Sequence, residues 1–578
     1  MKNEILSHLG RVAATFEIPA NSLKLDYPEN PEHGDFSSNL AMAHAKKLGM
    51  SPKELAEKII AEFTKDIPAS VESVSIAGPG FINFKIKNKV FAEEIISIVK
   101  SGAEYGWSTG ESGKKIMVEY TDPNPFKIFH IGHLMANSIG ESLSRLIQAE
   151  GVEVVRACYQ GDVGLHVAKT IWAMRKEKGE ERMKEITDAS VTEKVKWLGE
   201  MYVYGSQFDA DKELQKEIQS INKKIFEKSD PEINALYEKG RAWSLEYFDL
   251  IYKRLGTKFD KFFFESEVAG RGTKIVKEFL GKGVFSESEG AVVFKGEDHG
   301  LHTRVFITSH GLPTYEAKEL ALNTEKFELY PDLSQSIIVT ANEINDYFQV
   351  LLKTLSLINP NVAEKTTHIS HGILRFTSGK MSSRKGNVIS AESLLSDIRE
   401  MVQEKIINRG FAPEEAEEIS DIIAIGAIKY TILRQAIGGD VIFDSAASVS
   451  FEGDSGPYLQ YSTVRANSVL EKAAQQGIEE IKSKKQDEII LPEQVSLLEK
   501  LITRFPDILE RSRKEYAPQH VANYLINLAG AFNSYYANNT IADKNEPLAP
   551  YRVALTRAFV TTMTNGLWVL GIKVPKKM

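Results

Sequence analysis

Two histidines flank a glycine in the sequence His-Ile-Gly-His at residues 130–133. An apolar run over 116–120 precedes them and a helical pattern follows, so they fall where a strand gives way to a helix. A helix start after a parallel strand attracts phosphate through its free N–H groups and positive dipole end. Gly132 lets a ligand approach the backbone closely, and His130 and His133 can donate hydrogen bonds to charge developing on phosphate oxygens. Paired histidines at a turn can also be structural, so this motif alone does not establish a phosphate-binding site.

A second segment that suits phosphate is the stretch Ser-Gly-Lys-Met-Ser-Ser-Arg-Lys-Gly-Asn-Val at 378–388. Such a loop can wrap a polyphosphate with mobile cations, although by itself it could be a solvated basic turn. Its candidate ligand-binding residues are Lys380, Met381, Ser382, Ser383 and Lys385. The sequence contains no Gly-Lys-Ser/Thr of a P-loop, no Gly-x-Gly-x-x-Gly and no His-Glu-x-x-His.

The elements that position these motifs fall into three predicted domains. Helical spacing at 51–63 and alternation around a Gly-Pro-Gly turn at 74–86 predict a small α+β domain. A strand–helix–strand pattern from about 116 predicts a parallel sheet with right-handed crossovers. The predicted domains are 1–108 (α+β), 109–390 (α/β, with a Lys- and Glu-rich helical insertion at about 175–250) and 391–578 (all helical).

Composition limits the protein's class. The chain has 578 residues, 42% hydrophobic and 26% charged, which is ordinary for a globular multidomain protein. No apolar stretch approaches the roughly 18–20 residues that span a bilayer, and the first residues lack a signal-peptide core, so we expect a cytoplasmic protein without a membrane partner. The single Cys158 excludes an intrachain disulfide and a cysteine-clustered zinc site. The chain has a formal net charge of −8, so a nucleic acid would have to bind to locally basic surfaces.

Together, His-Ile-Gly-His and Lys-Met-Ser-Ser resemble the two ATP motifs of class I aminoacyl-tRNA synthetases, and their surroundings resemble the arginyl-tRNA synthetases in particular. The segments that carry this resemblance are 119–133, 312–321, 456–470, the ending Leu-Trp-Val-Leu-Gly-Ile-Lys-Val-Pro-Lys-Lys-Met, and 30–49 with Ala-Gly-Pro-Gly-Phe-Ile-Asn-Phe-Lys-Ile. The resemblance covers essentially the whole chain, in family order. It implies a multidomain α/β fold: a Rossmann-like parallel-sheet catalytic domain with a helical insertion, a small α+β N-terminal tRNA-binding domain and an all-α C-terminal anticodon-binding bundle.

The resemblance also implies a two-step reaction. L-Arginine attacks ATP, bound with Mg²⁺, to form an adenylate, and the terminal adenosine of tRNA(Arg) then takes the arginine. The implied catalytic residues are His130, His133 and Lys380, and the implied ATP site adds Gly132 and the other loop residues named above. Enzymes of this family generally need bound tRNA before they activate the amino acid. We expect a monomer with no structural zinc.

A pocket for a guanidinium group needs carboxylates, because this cation carries five donors in a fixed fork. Glu119, at the end of the first strand of the sheet, and Glu319, one helical turn after Tyr315, are the candidates. Alternatively, Glu319 only pairs with Lys318 or Lys326. The resemblance implies that Asn124 holds the α-amino or carboxylate end of arginine and that Tyr315 packs on its side chain. It also implies that Gly161, Asp162 and Gly164 border the site.

Three positions depart from the family pattern. Glu319 stands where the family usually has aspartate, so its carboxylate reaches one methylene further. Glu343 stands where we expect the family's glutamine, which would add a third acid to the arginine pocket. Ser383 replaces the second lysine of the loop, which leaves Arg384 or Lys385 to supply that charge.

Candidate tRNA contacts lie in the last domain, where cations and aromatic side chains occur together, as in surfaces that bind unpaired bases and phosphates. These candidates are Arg511, Arg513, Lys514, Tyr535 and Tyr536, although the cations could pair with Glu510 and Glu515, and Phe532 and the tyrosines could belong to the core.

The rival functions are another class I synthetase, a catalytically altered paralogue and a small nucleotidyltransferase. The missing cysteines exclude a cysteinyl enzyme, and an acidic pocket excludes a glutamyl type. A catalytically altered paralogue that only binds RNA is the main alternative, and intact histidines and Lys380 argue against it. A small His-x-Gly-His nucleotidyltransferase would leave the long helical segment after the loop unexplained.

Overall fold

Both strands and helices occur up to about residue 390, and the described residues beyond it are helical apart from one short strand. The computed structural model describes residues 1–28, 30–176, 178–377, 389–478 and 489–578, with backbone alone at 31 and 178–181. The helices are α1 Lys2–Thr15, α2 Leu40–His44, α3 Pro52–Phe63, α4 Asn88–Ser101, α5 Ile131–Gln148, α6 Leu165–Arg175, α7 Lys178–Thr187, α8 Val191–Ser206, α9 Lys212–Glu227, α10 Pro231–Leu255, α11 Glu265–Gly281, α12 Tyr315–Leu329, α13 Asn345–Ile358, α14 Pro360–Glu364, α15 Ala391–Ile406, α16 Pro413–Leu433, α17 Ser445–Ser448, α18 Gly456–Gln475, α19 Leu497–Ile502, α20 Phe505–Lys514, α21 Gln519–Asn538 and α22 Ala549–Val569. The strands are β1 Phe36–Ser38, β2 Val71–Ala77, β3 Phe81–Ile86, β4 Lys115–Glu119, β5 Glu153–Gln160, β6 Lys261–Phe264, β7 Ser286–Ser288, β8 Ala291–Phe294, β9 Arg304–Ile307, β10 Leu333–Ala341, β11 Thr366–His371, β12 Leu374–Phe376 and β13 Val441–Phe443. Within these described ranges, no helix has the length and apolarity to cross a membrane.

One compact unit combines Met1–Tyr105 with Arg465–Pro506 and Asn527–Met563. Its sheet is antiparallel, in the order β1-β3-β2. The predicted hairpin at 74–86 is confirmed, because β2 and β3 pair across the Gly-Pro-Gly turn. Gly80 has a φ of +138°, and a Cβ there would lie 2.9 Å from the backbone of Pro52, so this turn requires glycine.

The other unit comprises Gly106–Val464, Asp507–Ile526 and Thr564–Met578. It contains the predicted parallel sheet, five strands in the order β11-β10-β4-β5-β6. The chain starts at the central β4, runs outward through β5 and β6, and returns to β10 on the other side of β4. The carboxyl ends of β4 and β10 therefore border a topological switch point, where sheets of this kind bind their ligands.

Helices α6 to α10 form the helical insertion between β5 and β6 and have their own apolar core, which includes Ile171, Trp197 and Ile221. The insertion also holds the loop that joins β4 to α5. Phe126, in this loop, has a φ of +68°, donates its N–H to Ser244 Oγ at 3.0 Å and packs on Gly240 of α10, where a Cβ would lie 2.2 Å from the ring. These contacts stabilise a backbone conformation that a phenylalanine rarely adopts.

Candidate active site

The His-Ile-Gly-His segment forms the predicted turn from strand to helix. His130 is the N-cap of α5, and its Nδ1 accepts the N–H of Gly132 at 3.1 Å. His133 Nδ1 accepts the N–H of His130 at 3.2 Å, so the two side chains cap the helix reciprocally. Because each Nδ1 accepts a hydrogen bond, each neutral imidazole carries its proton on Nε2. The rings stack with centroids 3.6 Å apart and present two Nε2–H donors at the helix start.

Both imidazoles are neutral at physiological pH. Burial, with a smaller contribution from the Lys127 ammonium, lowers the pKa of His130 to about 4. Burial, then the charges of His130 and Lys127, holds the pKa of His133 well below its usual range. At this turn, a phosphate group would therefore meet two hydrogen-bond donors and the positive end of a helix dipole. It would not meet fixed imidazolium charges.

The turn is fastened to the chain that follows the candidate loop. The N–H of Ile131 donates to the carbonyl of Ile389 at 3.2 Å, and the N–H of Ala391 donates to the carbonyl of Phe129 at 2.9 Å. On the other side of the candidate loop, just before it begins, the N–H of Thr377 donates to the carbonyl of Phe443. The loop candidates Lys380, Met381, Ser382, Ser383 and Lys385 lie at 378–388, outside the described residues.

Buried carboxylates gather where β4 ends. Glu119 is the last residue of β4, and its Oε2 lies 3.0 Å from Nζ of Lys326, both side chains being almost inaccessible to solvent. Glu319 of α12 is also buried, and its Oε2 accepts a hydrogen bond from Asn323 Nδ2 at 3.2 Å. Burial and the charge of Glu119 raise the pKa of Glu319 to about 8. The two carboxylates chosen from the sequence are thus brought together.

The lysines proposed as partners of Glu319 pair with other acids. Lys326 pairs with Glu119, and Lys318 forms a buried ion pair with Glu265. Within the described residues, Glu319 has no cation within ion-pair distance. The Asn323 amide holds its carboxylate, and the nearby carboxylates of Glu119 and Glu265 add negative charge. This arrangement suits an incoming cation.

Asp122 is a third carboxylate of this cluster, and the sequence analysis did not single it out. It lies three residues after Glu119, and its Oδ1 accepts the N–H of Tyr159 at 2.7 Å. Burial, then the charges of Glu119 and Glu319, holds the pKa of Asp122 well above its usual range. The sequence signal that could have identified Asp122 is its position within the segment 119–133, which carries the family resemblance. Among the described residues no cluster of His, Cys, Asp and Glu has the arrangement of a metal site.

The other arginine candidates differ in their exposure and contacts. Asn124 lies against Gly161, where a Cβ would come within 2.3 Å of Asn124 Oδ1. Tyr315 begins α12, is 54% exposed and has Lys318 Nζ 4.8 Å from its ring centroid. Glu343 is exposed on the short 3₁₀ turn after β10, and the structure does not bring it into the buried cluster.

Asp162 lies in a buried network of hydrogen bonds and an ion pair. The Asp162 carboxylate is fully buried, pairs with Arg241 at 2.9 Å and accepts hydrogen bonds from Tyr237 and Ser266. A Cβ at Gly161 would displace the Asn124 side chain, and Gly164 has a φ of +130°, a conformation that favours glycine.

The three candidate tRNA cations all pair with acids. Arg511 Nε lies 3.0 Å from Glu515, and Lys514 Nζ lies 2.5 Å from Glu510, both on exposed helix surface. The side chain of Arg513 is 13% exposed and lies 3.3 Å from Glu111. Two of the three cations are therefore on the surface and the third is mostly buried.

The candidate aromatic residues also divide by exposure. Tyr536 is 42% exposed, with the Arg465 guanidinium 5.6 Å from its ring centroid. Tyr535 is partly buried and lines a cavity of about 290 Å³ that Tyr551 and Arg552 also border. Phe532 is fully buried and stacks on Phe559, so it belongs to the core.

Comparison with known proteins finds matches along nearly the whole chain. Residues 94–445 match the family model "tRNA synthetases class I (R), catalytic domain", 459–578 the DALR anticodon binding domain, and 1–86 the arginyl tRNA synthetase N terminal domain. The arginine–tRNA ligase of Clostridium perfringens is 33% identical over 564 residues, covering 96% of both chains, and that of Clostridium botulinum is 30% identical over the full length of both. The solved arginyl-tRNA synthetase of Thermus thermophilus has a TM-score of 0.78 at 22% identity over 100% of both chains, which confirms the predicted fold class.

Proposed function

Because the chain belongs to the class I arginyl-tRNA synthetases, we propose that it joins L-arginine to tRNA(Arg) with ATP as the second substrate. The observation that carries the proposal is the pair of buried carboxylates, Glu119 and Glu319, at the same sheet edge as the turn that presents His130 and His133. An acidic recess suits a guanidinium, and a helix start with two N–H donors suits a phosphate.

In the arginine pocket, Glu119 and Glu319 accept the forked hydrogen bonds of the guanidinium. Asn124 holds the α-amino or carboxylate end, and Tyr315 covers the substrate's methylene chain from the solvent side. Glu343 is exposed, so we assign it to the outer rim of the pocket rather than to the guanidinium itself.

In the first step, a carboxylate oxygen of arginine bonds to the α-phosphorus of ATP, the bond to the β-phosphate oxygen breaks, and pyrophosphate leaves. The Nε2–H groups of His130 and His133 and the start of α5 donate to the phosphate oxygens as charge develops on them. Gly132 keeps this approach open, since a Cβ would lie 2.9 Å from the His130 ring. The loop residues Lys380, Met381, Ser382, Ser383 and Lys385 complete the ATP site, with Mg²⁺ entering as part of the substrate and no structural zinc.

In the second step, a hydroxyl of the terminal adenosine of tRNA attacks the adenylate carbonyl and AMP leaves. Neither step needs a covalent nucleophile from the protein, because positioning and electrostatics suffice. We assign tRNA contacts to Arg511, Lys514, Tyr536 and Tyr535, with Arg513 supporting α20. The proposed domains are 1–108, 109–390 and 391–578, acting as a cytoplasmic monomer.

The test is ATP–pyrophosphate exchange with each of the twenty amino acids, with and without total tRNA. We expect exchange with arginine alone, and only when tRNA is present. Equal exchange with lysine or glutamate would refute the substrate assignment. RNA binding without any exchange would instead identify a catalytically altered paralogue.

A further inference from the structure

The arginine pocket contains more buried acid than its own cations neutralise. Glu119, Asp122 and Glu319 meet at the end of β4, and Lys326 is the one cation paired there within the described residues. The nearby Lys318 forms an ion pair with Glu265 instead. Three carboxylates beside one ammonium cannot all be ionised in a buried space without a large electrostatic cost.

The backbone holds Asp122 in this cluster. Thr121 and Asp122 have φ values of +82° and +45°, a region that side-chain-bearing residues rarely adopt, and the N–H of Tyr159 on β5 fixes Asp122 Oδ1 at 2.7 Å. A strained backbone that a neighbouring strand holds in place is often a feature of a functional site. The position of the third carboxylate is therefore set by two adjacent strands.

A further buried group in the same recess lacks a partner. The side chain of Tyr159 is more than nine-tenths buried, and its hydroxyl has no hydrogen-bond partner among the described residues. The charges of Glu265, Glu319 and Glu119 all act on this hydroxyl. A buried hydroxyl without a partner, within electrostatic reach of surplus carboxylates, is a feature expected where a polar ligand completes a site.

The titratable groups facing Asp122 and Glu319 come from every element packed around them. They are Glu119 of β4, Cys158 and Tyr159 of β5, Tyr252 of α10, Glu265 of α11, Lys326 of α12 and Tyr347 of α13. Only Lys326 among these is a cation, so the surroundings favour the protonated state of at least one carboxyl group.

We propose that Asp122 is a specificity-determining residue of the arginine pocket, and that Asp122 and Glu319 hold a proton that leaves to solvent when the guanidinium binds. The inference rests on the proposed assignment of Glu119 and Glu319 to arginine. Without substrate, the proton neutralises one surplus carboxylate. With substrate, the permanent charge of the guanidinium replaces the proton, so the pocket exchanges one positive charge for another. L-Citrulline, a neutral isostere of arginine, cannot make this exchange.

The sign of the pH dependence follows from this exchange. Below about pH 8, where burial and Glu119 keep Glu319 protonated, binding must release the proton, so arginine affinity rises as the pH rises. Above that pH no proton remains to be released, and the affinity levels off. One released proton corresponds to about a tenfold change in affinity per pH unit.

The experiment is titration calorimetry of arginine into the full chain at pH 7, with and without tRNA(Arg), in phosphate and in Tris, whose ionisation enthalpies differ. We expect the wild type to release close to one proton with arginine and none with citrulline. Asp122→Asn should bind arginine at least tenfold more weakly and release markedly less proton. The control is Asp298→Asn, at an exposed aspartate, which should match the wild type.

The outcomes separate this inference from the assignment of the pocket. Arginine binding by wild type without proton release, or unchanged binding and proton release in Asp122→Asn, would overturn the inference. If Glu119→Gln leaves arginine affinity unchanged, the pocket assignment itself fails. The wild-type measurement in two buffers needs no variant, so the result does not depend on whether a substituted chain folds.

Discussion

The imidazole of His133 stacks on that of His130, with ring centroids 3.6 Å apart, while its Nδ1 accepts the backbone N–H of His130. One nitrogen of each ring therefore stabilises the helix start, and the other is left to donate. The histidine pair is therefore both a helix cap and a source of two hydrogen-bond donors.

We predict that His133→Ala lowers arginine activation by two to three powers of ten, about the 2.7–4 kcal/mol that follows loss of one transition-state donor. Because the cap is lost as well, the free energy of unfolding should fall by about 1 kcal/mol. Pyrophosphate exchange and urea unfolding measure the two effects. His299→Ala, at an exposed histidine, is the matched control, and unchanged turnover in a folded His133→Ala would show that His133 is only structural.

The neutral histidines predict an unusual pH profile. Since burial lowers the pKa of His130 to about 4, both rings stay neutral from pH 5.5 to 7 and the donors do not change over that range. The rate of activation at saturating arginine and ATP should therefore be nearly flat there. An inflection near 6.5, the pKa of an ordinary histidine, would contradict this description of the turn.

The buried pair of Lys326 and Glu119 predicts a large effect on stability. Lys326→Met removes the counter-ion of a buried carboxylate, and we expect a loss of about 3–5 kcal/mol in the free energy of unfolding at pH 7. Saturating arginine should restore part of it, because the guanidinium supplies a cation to the same group. Urea unfolding with Lys282→Met as an exposed control measures this, and a loss below about 1 kcal/mol would show that Glu119 is solvated.

The surface cations of α20 predict a change in tRNA binding. Arg511→Ala with Lys514→Ala should weaken tRNA binding and reduce the slope of affinity against salt by about 0.7–0.9 for each lost phosphate contact, with little change in the KM for arginine at saturating tRNA. Arg513→Ala should instead lower stability, because that side chain is mostly buried against Glu111. An unaltered slope would mean that these cations serve only their helix pairs, worth about 0.3–0.5 kcal/mol each.

Local patterns were enough to predict the turn at His130, the hairpin at 74–86 and the first strand–helix–strand unit of the parallel sheet, because each depends on residues close in sequence. The pairing of Lys326 with Glu119 was not predictable, since it depends on how β4 and α12 lie in the folded sheet. Asp122 was missed because its place in the buried cluster depends on positive φ values at Thr121 and Asp122 that the sequence does not indicate. Similarly, pattern alone could not show that 465–506 and 527–563 belong to one compact unit with 1–105.

The most direct test of the central claim is the charging of total tRNA with radiolabelled amino acids by the purified chain. We predict that arginine becomes esterified to the terminal adenosine and that lysine and citrulline do not. Glu119→Gln, although destabilised by loss of the ion pair with Lys326, should show the circular dichroism of a folded chain and no charging. Charging with lysine, or full charging with arginine by Glu119→Gln, would contradict the assignment of this acidic pocket to arginine.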